Sequence, residues 1–115
     1  MTVIYQCGVG PVLTFDNWVI TDFSNNKKYQ FNWGTVSQQD GSKLFKVTKY
    51  YVTQSGGPRL FRYYGSTFFK VRGHALAEVG DGVITDLTSD RKFEITGHLS
   101  REEFLAALAI LFLGK

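Results

Sequence analysis

The residues best suited to do chemistry in this chain lie in one basic segment, residues 43–72. This segment holds seven Lys and Arg residues and no Asp or Glu, and eight aromatic residues are interleaved with the cations. Lys and Arg bind phosphates, and exposed aromatic rings stack on bases, so this mixture is typical of proteins that bind single-stranded nucleic acid. The rest of the chain carries six basic and ten acidic residues, a charge of −4. The positive charge is therefore segregated into one segment.

The expected binding residues are cations of this segment together with two adjacent tyrosine pairs. On a strand, neighbouring side chains point to opposite faces, so one ring of each pair should face away from the core. The predicted nucleic-acid contacts are Lys46, Lys49, Tyr50, Tyr51, Arg59, Arg62, Tyr63, Tyr64, Lys70 and Arg72. We expect one continuous positive surface formed by Arg59, Arg62, Lys70 and Arg72. The same pattern also fits a solvated face, or a module that binds an acidic protein, such as an inhibitor or an assembly subunit.

A second candidate is a thiol hydrolase built from Cys7, His74 and Asp86. The segment around the histidine, GHALAEVGDGVITD, is similar to the histidine strands of papain-like enzymes. A catalytic cysteine normally sits at a helix N-terminus, where the dipole lowers the thiol pKa, whereas Cys7 lies in a predicted strand. We therefore expect a binding protein and not an enzyme. The two histidines and the cysteine match no metal-ligand spacing, so no metal or cofactor is expected.

The elements that position these residues follow from an internal repeat. Residues 19–32 read VITDFSNNKKYQFN and residues 83–96 read VITDLTSDRKFEIT, at an offset of 64. Each copy has the alternating runs and the polar turn of a β-hairpin. A three-residue loop that ends in a left-handed Asn or Asp gives a consistent register. This register places Asp22 opposite Lys28 and its counterpart Asp86 opposite Lys92, related by approximate two-fold symmetry.

The whole chain is expected to form one mainly β domain. We predict a small, internally duplicated β-barrel or sandwich with one C-terminal α-helix. The first repeat covers about residues 2–37, an inserted basic hairpin about 43–64, the second repeat about 66–99 and the helix about 101–113.

The predicted helix has an N-terminal capping box, Ser100 with Glu103. Ten consecutive apolar residues, 104–113, leave it without a polar face, so the helix should be covered on all sides. The β-structure should cover one side, and core loops or a second copy of the chain the other. A homodimer would then use Phe104, Leu108, Leu111 and Phe112.

Cysteine content and the termini indicate the compartment. A single cysteine excludes an intrachain disulfide and suits a reducing environment. The first residues lack the charged and apolar regions of a signal peptide, and the longest apolar run is too short to span a bilayer. We expect a soluble, cytoplasmic protein that does not act on membranes.

Overall fold

The computed structural model describes residues 1–113 as twelve antiparallel strands closed into a barrel around a C-terminal helix. The strands are β1 (Thr2–Gln6), β2 (Gly10–Asp16), β3 (Val19–Asp22), β4 (Lys27–Asn32), β5 (Thr35–Gln38), β6 (Lys43–Val47), β7 (Tyr51–Gln54), β8 (Arg59–Tyr64), β9 (Thr67–Lys70), β10 (Ala75–Gly80), β11 (Val83–Asp86) and β12 (Lys92–Thr96), and the helix is α1 (Arg101–Leu111). Each strand pairs with the next in sequence, and β12 closes on β1. The mainly β prediction with one C-terminal helix is confirmed, and of the two predicted architectures the chain forms the barrel.

The up-and-down order places alternate turns at opposite ends of the barrel. We call the end at which α1 begins the upper end. The turns after β2, β4, β6, β8 and β10 lie there, and the other turns lie at the lower end, where α1 stops. Short turns join the strands because all neighbouring strands except β1 and β12 are also consecutive in sequence.

The helix fills the interior of the barrel. Side chains alone fill a barrel of about eight strands, whereas a wider one leaves a central space. An α-helix with its side chains is about 10–12 Å across and occupies that space here. All residues from Leu105 to Ile110 are buried, and so is Phe112. The capping box is confirmed, since the Glu103 amide donates to Ser100 Oγ at 3.2 Å and the Ser100 amide to Glu103 Oε1 at 2.9 Å.

Aromatic side chains join the helix to β8 and β9. The Phe68 ring stacks on Phe61 at 4.9 Å between centres, and it lies 6.1 Å from Phe112 at the end of the helix. Tyr63 meets Phe104 edge to face at 5.8 Å. Such pairs add to the stability that burial alone provides.

This packing restricts the predicted oligomer interface. Leu108 and Phe112 have no accessible surface in the single chain, so the barrel covers them and they cannot touch a second copy while it is intact. Phe104 and Leu111 are only partly buried. A dimer through these two residues stays a prediction.

Strands recur at the offset of the sequence repeat, but the predicted symmetry is wrong. β3 and β11 are 64 residues apart at both ends, and β1, β2 and β4 have counterparts close to that offset in β9, β10 and β12. In a ring of twelve strands, a shift of eight positions is two thirds of a turn, or one third in the opposite direction, whereas a two-fold axis requires a shift of six. Duplication itself is not shown by these positions and stays a prediction.

The predicted hairpin register is also wrong, by one residue in both copies. Lys28 pairs with Thr21 and Lys92 with Thr85, so neither lysine faces the aspartate of its hairpin. The first loop has four residues, 23–26, and ends in a left-handed Asn26 with φ 52°, as the loop chemistry predicted.

The two aspartates are buried loop caps. The carboxylate of Asp22 accepts hydrogen bonds from the Ser24 amide at 3.0 Å and from the Asn25 side chain at 2.9 Å. The carboxylate of Asp86 accepts hydrogen bonds from the hydroxyls of Thr88 and Ser89 and from the Arg91 side chain. A carboxylate that accepts several bonds from the following residues fixes a turn, and this explains why the repeat keeps an aspartate here. Lys27 is the strand partner of Asp22, but within residues 1–113 the two form no ion pair.

Residues 43–64, predicted as one inserted hairpin, form three strands, β6, β7 and β8. Residues 43–54 divide into β6 and β7 at Thr48–Tyr50, and β5 precedes them as a further strand. No Gly or Pro marks this turn in the sequence. Instead, the Thr48 amide donates to the Tyr51 carbonyl at 2.9 Å, and Arg101 Nε donates to the Lys49 carbonyl at 2.7 Å. A tertiary contact from the helix therefore holds the turn.

The buried Asp86 is expected to make stability depend on acid pH. Burial by itself raises the pKa of Asp86, but hydrogen bonds from Thr88, Ser89 and Arg91 outweigh it and lower the pKa from 3.8 to about 2. The resulting stabilisation is present above pH 4 and is lost as the pH falls through 2. A shift of this size corresponds to about 2 kcal/mol. In urea unfolding at neutral pH, Asp86→Asn should lower the free energy of unfolding by about that amount.

The control for this prediction is Asp90→Asn in the same loop. Asp90 is exposed, so this substitution should change the free energy of unfolding by no more than about 0.5 kcal/mol. The parent protein should lose stability between pH 4 and pH 2 more steeply than Asp86→Asn does. Parallel acid profiles for the two proteins would contradict the assignment.

Candidate functional site

Most of the predicted binding residues lie on the outer face of β6–β9 and on the adjoining turns. Lys70 lies at the lower edge of this surface, where it pairs with the buried Phe61, and Tyr63 does not belong to the surface because it points into the core. We call this surface the basic band. It comprises Lys46, Lys49, Tyr50, Tyr51, Arg59, Arg62, Tyr64, Phe69, Lys70 and Arg72. It occupies four adjacent strands of the twelve, so the cations that are segregated in the sequence are also together on one side of the barrel.

Strand pairing aligns the lower part of the basic band. Lys46 on β6 pairs with Thr53 on β7, and Thr53 pairs with Arg59 on β8. A register shift between Val52 and Thr53 marks a bulge, which re-aims side chains at the end of a strand. Arg59 is consequently exposed, in line with Lys46.

The middle of the basic band alternates aromatic rings and guanidinium groups. Tyr51 pairs with Arg62, and Arg62 pairs with Phe69 on the next strand. The Arg59 guanidinium carbon lies 4.0 Å from the centre of the Tyr51 ring, and that of Arg62 lies 4.6 Å from the centre of Phe69. These cation–π contacts orient each arginine and leave its N–H groups available to an anion.

A cationic cleft lies at the lower end of the band. It has a volume of about 390 Å³ and lies beside the C-terminal end of the helix. Three cations line it together with apolar side chains, namely Arg59, Leu60, Phe61, Lys70, Val71, Arg72 and Leu113. No acidic residue takes part, so this cleft suits a ligand with concentrated negative charge and some apolar surface.

A second, aromatic cleft lies at the upper end. It measures about 200 Å³ and is lined by Tyr50, Tyr51, Arg62, Tyr63 and Tyr64. Tyr64 projects outward, whereas Tyr63 is only 9% exposed because its ring packs on the helix. One ring of this pair faces outward, as predicted, and Tyr63 is not available as a stacking surface. Tyr50 and Tyr51 both keep exposed surface because Tyr50 lies in the turn and not in the strand.

Within residues 1–113, the cations of the band have no carboxylate partners. Among residues 1–113, the one ion pair joins Arg91 to Asp86, at 2.8 Å between Nη2 and Oδ2. That pair lies on the β11–β12 side of the barrel. Unpaired arginines and lysines that are aligned on one face create a positive potential that attracts anions.

The residues of the predicted thiol-hydrolase site are not linked to one another. Cys7 is exposed and lies 3.9 Å from Glu94 Oε1. Both oxygens of Asp86 are bonded within its own loop and to Arg91, and His74 is exposed in the β9–β10 loop. Across the described part of the chain, no group of three or more His, Cys, Asp or Glu side chains is placed to hold a metal. No helix of residues 1–113 is both long and apolar enough to cross a membrane.

Sequence reasoning missed several residues that shape this surface. Phe69 orients Arg62, and the Arg101 guanidinium lies 5.4 Å from Tyr50 and 5.2 Å from Tyr63. Arg101 is 29 residues beyond the basic segment, so only the tertiary structure brings it there. Trp18 and Trp33 were missed as well. Each lies in a two-residue turn, with Asn17 or Gly34 as the other residue, and such turns mark exposed hairpin tips.

Comparisons with protein-family models, with curated proteins and with solved structures found no match to this chain.

Proposed function

We propose that this protein binds single-stranded nucleic acid, either RNA or single-stranded DNA, through the basic band and without catalysis. The observation that carries the proposal is the alternation of unpaired cations with accessible aromatic rings on one continuous face. Lysine and arginine would contact phosphates, and the exposed rings would stack on bases.

The exposed rings favour a single strand over a duplex. A side chain can stack on a base only where the base is not already stacked within a helix. Tyr50 and Tyr64 offer their rings at the upper end, and Arg59 and Arg72 provide charge at the lower end. β8 connects the two and spans roughly 17–20 Å, a length sufficient for a few nucleotides in an extended strand.

The alternative is a module that binds an acidic protein. Arginine and tyrosine are common at the energetic centres of protein interfaces, and the two clefts of the band could receive acidic or aromatic side chains. The two functions differ in their response to salt. Nucleic-acid binding depends on the release of counterions along a phosphate chain, whereas a protein interface depends on a few buried anchors.

Salt titration is the direct test. Binding of a fluorescently labelled oligothymidine of about twelve nucleotides should weaken log-linearly with salt, with a slope between roughly −2 and −4 for three to six phosphate contacts. Polyglutamate of similar length and charge serves as the competitor. Equal competition by polyglutamate would favour the acidic-protein alternative. Capture from a native lysate with and without nuclease then gives the natural ligand class, and nuclease-resistant capture of protein alone would contradict the proposal.

A further inference from the structure

Exposed aromatic residues occupy four successive hairpin tips at the upper end of the barrel. Trp18 is 70% exposed, Trp33 98%, Tyr50 46% and Tyr64 73%. They lie at the turns that follow β2, β4, β6 and β8 respectively. We call this set the aromatic rim. Large exposed aromatic side chains grouped on one end of a protein indicate an interaction site.

The backbone conformation at the two tryptophans is unfavourable for a bulky residue, so the fold alone does not account for their presence. Trp18 has φ 70° and Trp33 has φ 54°, both in two-residue turns whose central residues have positive φ. Asn-Gly and Asp-Gly are the favoured pairs in such turns, and the turn after β10 uses Asp81 and Gly82. A bulky side chain in the left-handed region is strained. Because both rings are exposed, little packing offsets that strain, and strained residues of this kind cluster at functional sites.

The aromatic rim is continuous with the basic band. Tyr50 and Tyr64 belong to both, since they line the upper cleft together with Arg62. Neighbouring tips are two strands apart, about 10 Å, so Trp33 and then Trp18 extend the row of rings beyond Tyr50. At the tyrosine end of the rim a cationic ligand is disfavoured because Arg62, Lys49 and Arg101 surround the rings. Asp16 and Glu103 line the cleft beside Trp18, so at that end the rim would contact bases and not phosphates.

We propose that the aromatic rim stacks on unpaired bases of the strand whose phosphates bind the basic band. The strand would run along β8 and then turn over the upper end of the barrel, towards Trp33 and Trp18. This inference rests on the proposed function and names the part of the ligand that the rim recognises. It assigns Trp18 and Trp33 to base contact, and it makes affinity depend on bases as well as on phosphates.

The chain offers a selective probe for this contact. Its two tryptophans are both in the rim, so intrinsic tryptophan fluorescence reports on the rim alone. Oligothymidine of about twelve nucleotides should quench this fluorescence and bind at least about tenfold more tightly than an abasic strand with the same number of phosphates. The abasic strand should bind through the band and leave the tryptophan emission unchanged.

Two substitutions separate binding from folding. Trp18→Gly and Trp33→Asn each convert a turn to the favoured Asn-Gly pair, so both variants should unfold at a urea concentration no lower than the parent. Each should lose several-fold in affinity for oligothymidine and keep its affinity for the abasic strand. Phe23→Ala is the matched control, because Phe23 is also an exposed aromatic residue but lies in the β3–β4 loop at the lower end.

The possible outcomes distinguish this inference from the proposed function. Equal binding of the two strands with unchanged emission would overturn the role of the rim and leave the phosphate-binding band intact. A protein that binds neither strand at low salt would overturn both. A blue shift of the emission with phosphatidylserine-containing vesicles, without any response to oligothymidine, would show that the rim meets a lipid surface and not bases.

Discussion

Replacing both Arg59 and Arg62 with alanine should weaken binding of a twelve-nucleotide strand about tenfold at physiological salt, because two phosphate contacts are lost. The slope of log affinity against log salt should become shallower by about 1.4. Both arginines are exposed on β8 and stacked on aromatic rings, so the substitutions remove oriented charge without opening the core. Fluorescence anisotropy over a range of salt concentrations measures both quantities.

The matched control removes the same charge from another part of the barrel. Lys28 on β4 and Lys92 on β12 are exposed and lie outside the basic band. Their double alanine variant has the same net charge as the arginine variant, so general electrostatic attraction falls equally in both. If the two variants lost the same affinity, binding would follow net charge, and the band would have no special role.

Leu108→Ala should lower the free energy of unfolding by about 2–5 kcal/mol. Leu108 is fully buried within the barrel, and its truncation leaves a cavity that the closed ring of strands cannot readily collapse to fill. A loss of this size is a large share of the stability of a small domain. Urea unfolding monitored by circular dichroism measures it, and the slope against urea should stay unchanged if the native fold is kept.

The control for the helix prediction is Leu113→Ala, which changes an exposed leucine just beyond the helix and should cost no more than about 0.5 kcal/mol. Deletion of the helix should be more severe, because it empties the barrel and gives an unfolded or insoluble chain. A truncated protein that remained folded would show that the barrel does not need the helix as its core.

Local patterns predicted where the helix begins more reliably than how the strands pair. Ser100 and Glu103 identified the helix start, and the unbroken apolar run predicted that the helix is covered on all sides. The hairpin register was misplaced by one residue because a three-residue loop was assumed, whereas the first hairpin has a four-residue loop, 23–26, which places Asp22 as its cap. A carboxylate can satisfy its charge from loop amides as well as from a lysine, and sequence alone does not distinguish the two.

The candidate site was predictable in composition and only partly in geometry. Alternation along β8 predicted that one ring of the Tyr63–Tyr64 pair faces outward, but not which one, and the structure exposes Tyr64 and buries Tyr63. The turn before Tyr51 was not predicted, because no Gly or Pro marks it and Arg101 holds it from a distant part of the chain. Trp18 and Trp33 were missed although their two-residue turns mark hairpin tips, and only the ring of strands brings these tips to the same end as Tyr50 and Tyr64.

The sequence by itself determined the β character of the chain, its C-terminal helix with the capping box, and the concentration of cations in one segment. These properties depend on neighbours within a few residues, through side-chain alternation, hydrogen bonds to the first helical turn and local charge. Only the tertiary structure decided that twelve strands close into one ring around the helix, that Leu108 and Phe112 face the strands, and that the tips carrying Trp18, Trp33, Tyr50 and Tyr64 share one end. Ring closure joins β1 to β12 across nearly the whole chain, and contacts at that separation leave no local pattern in the sequence.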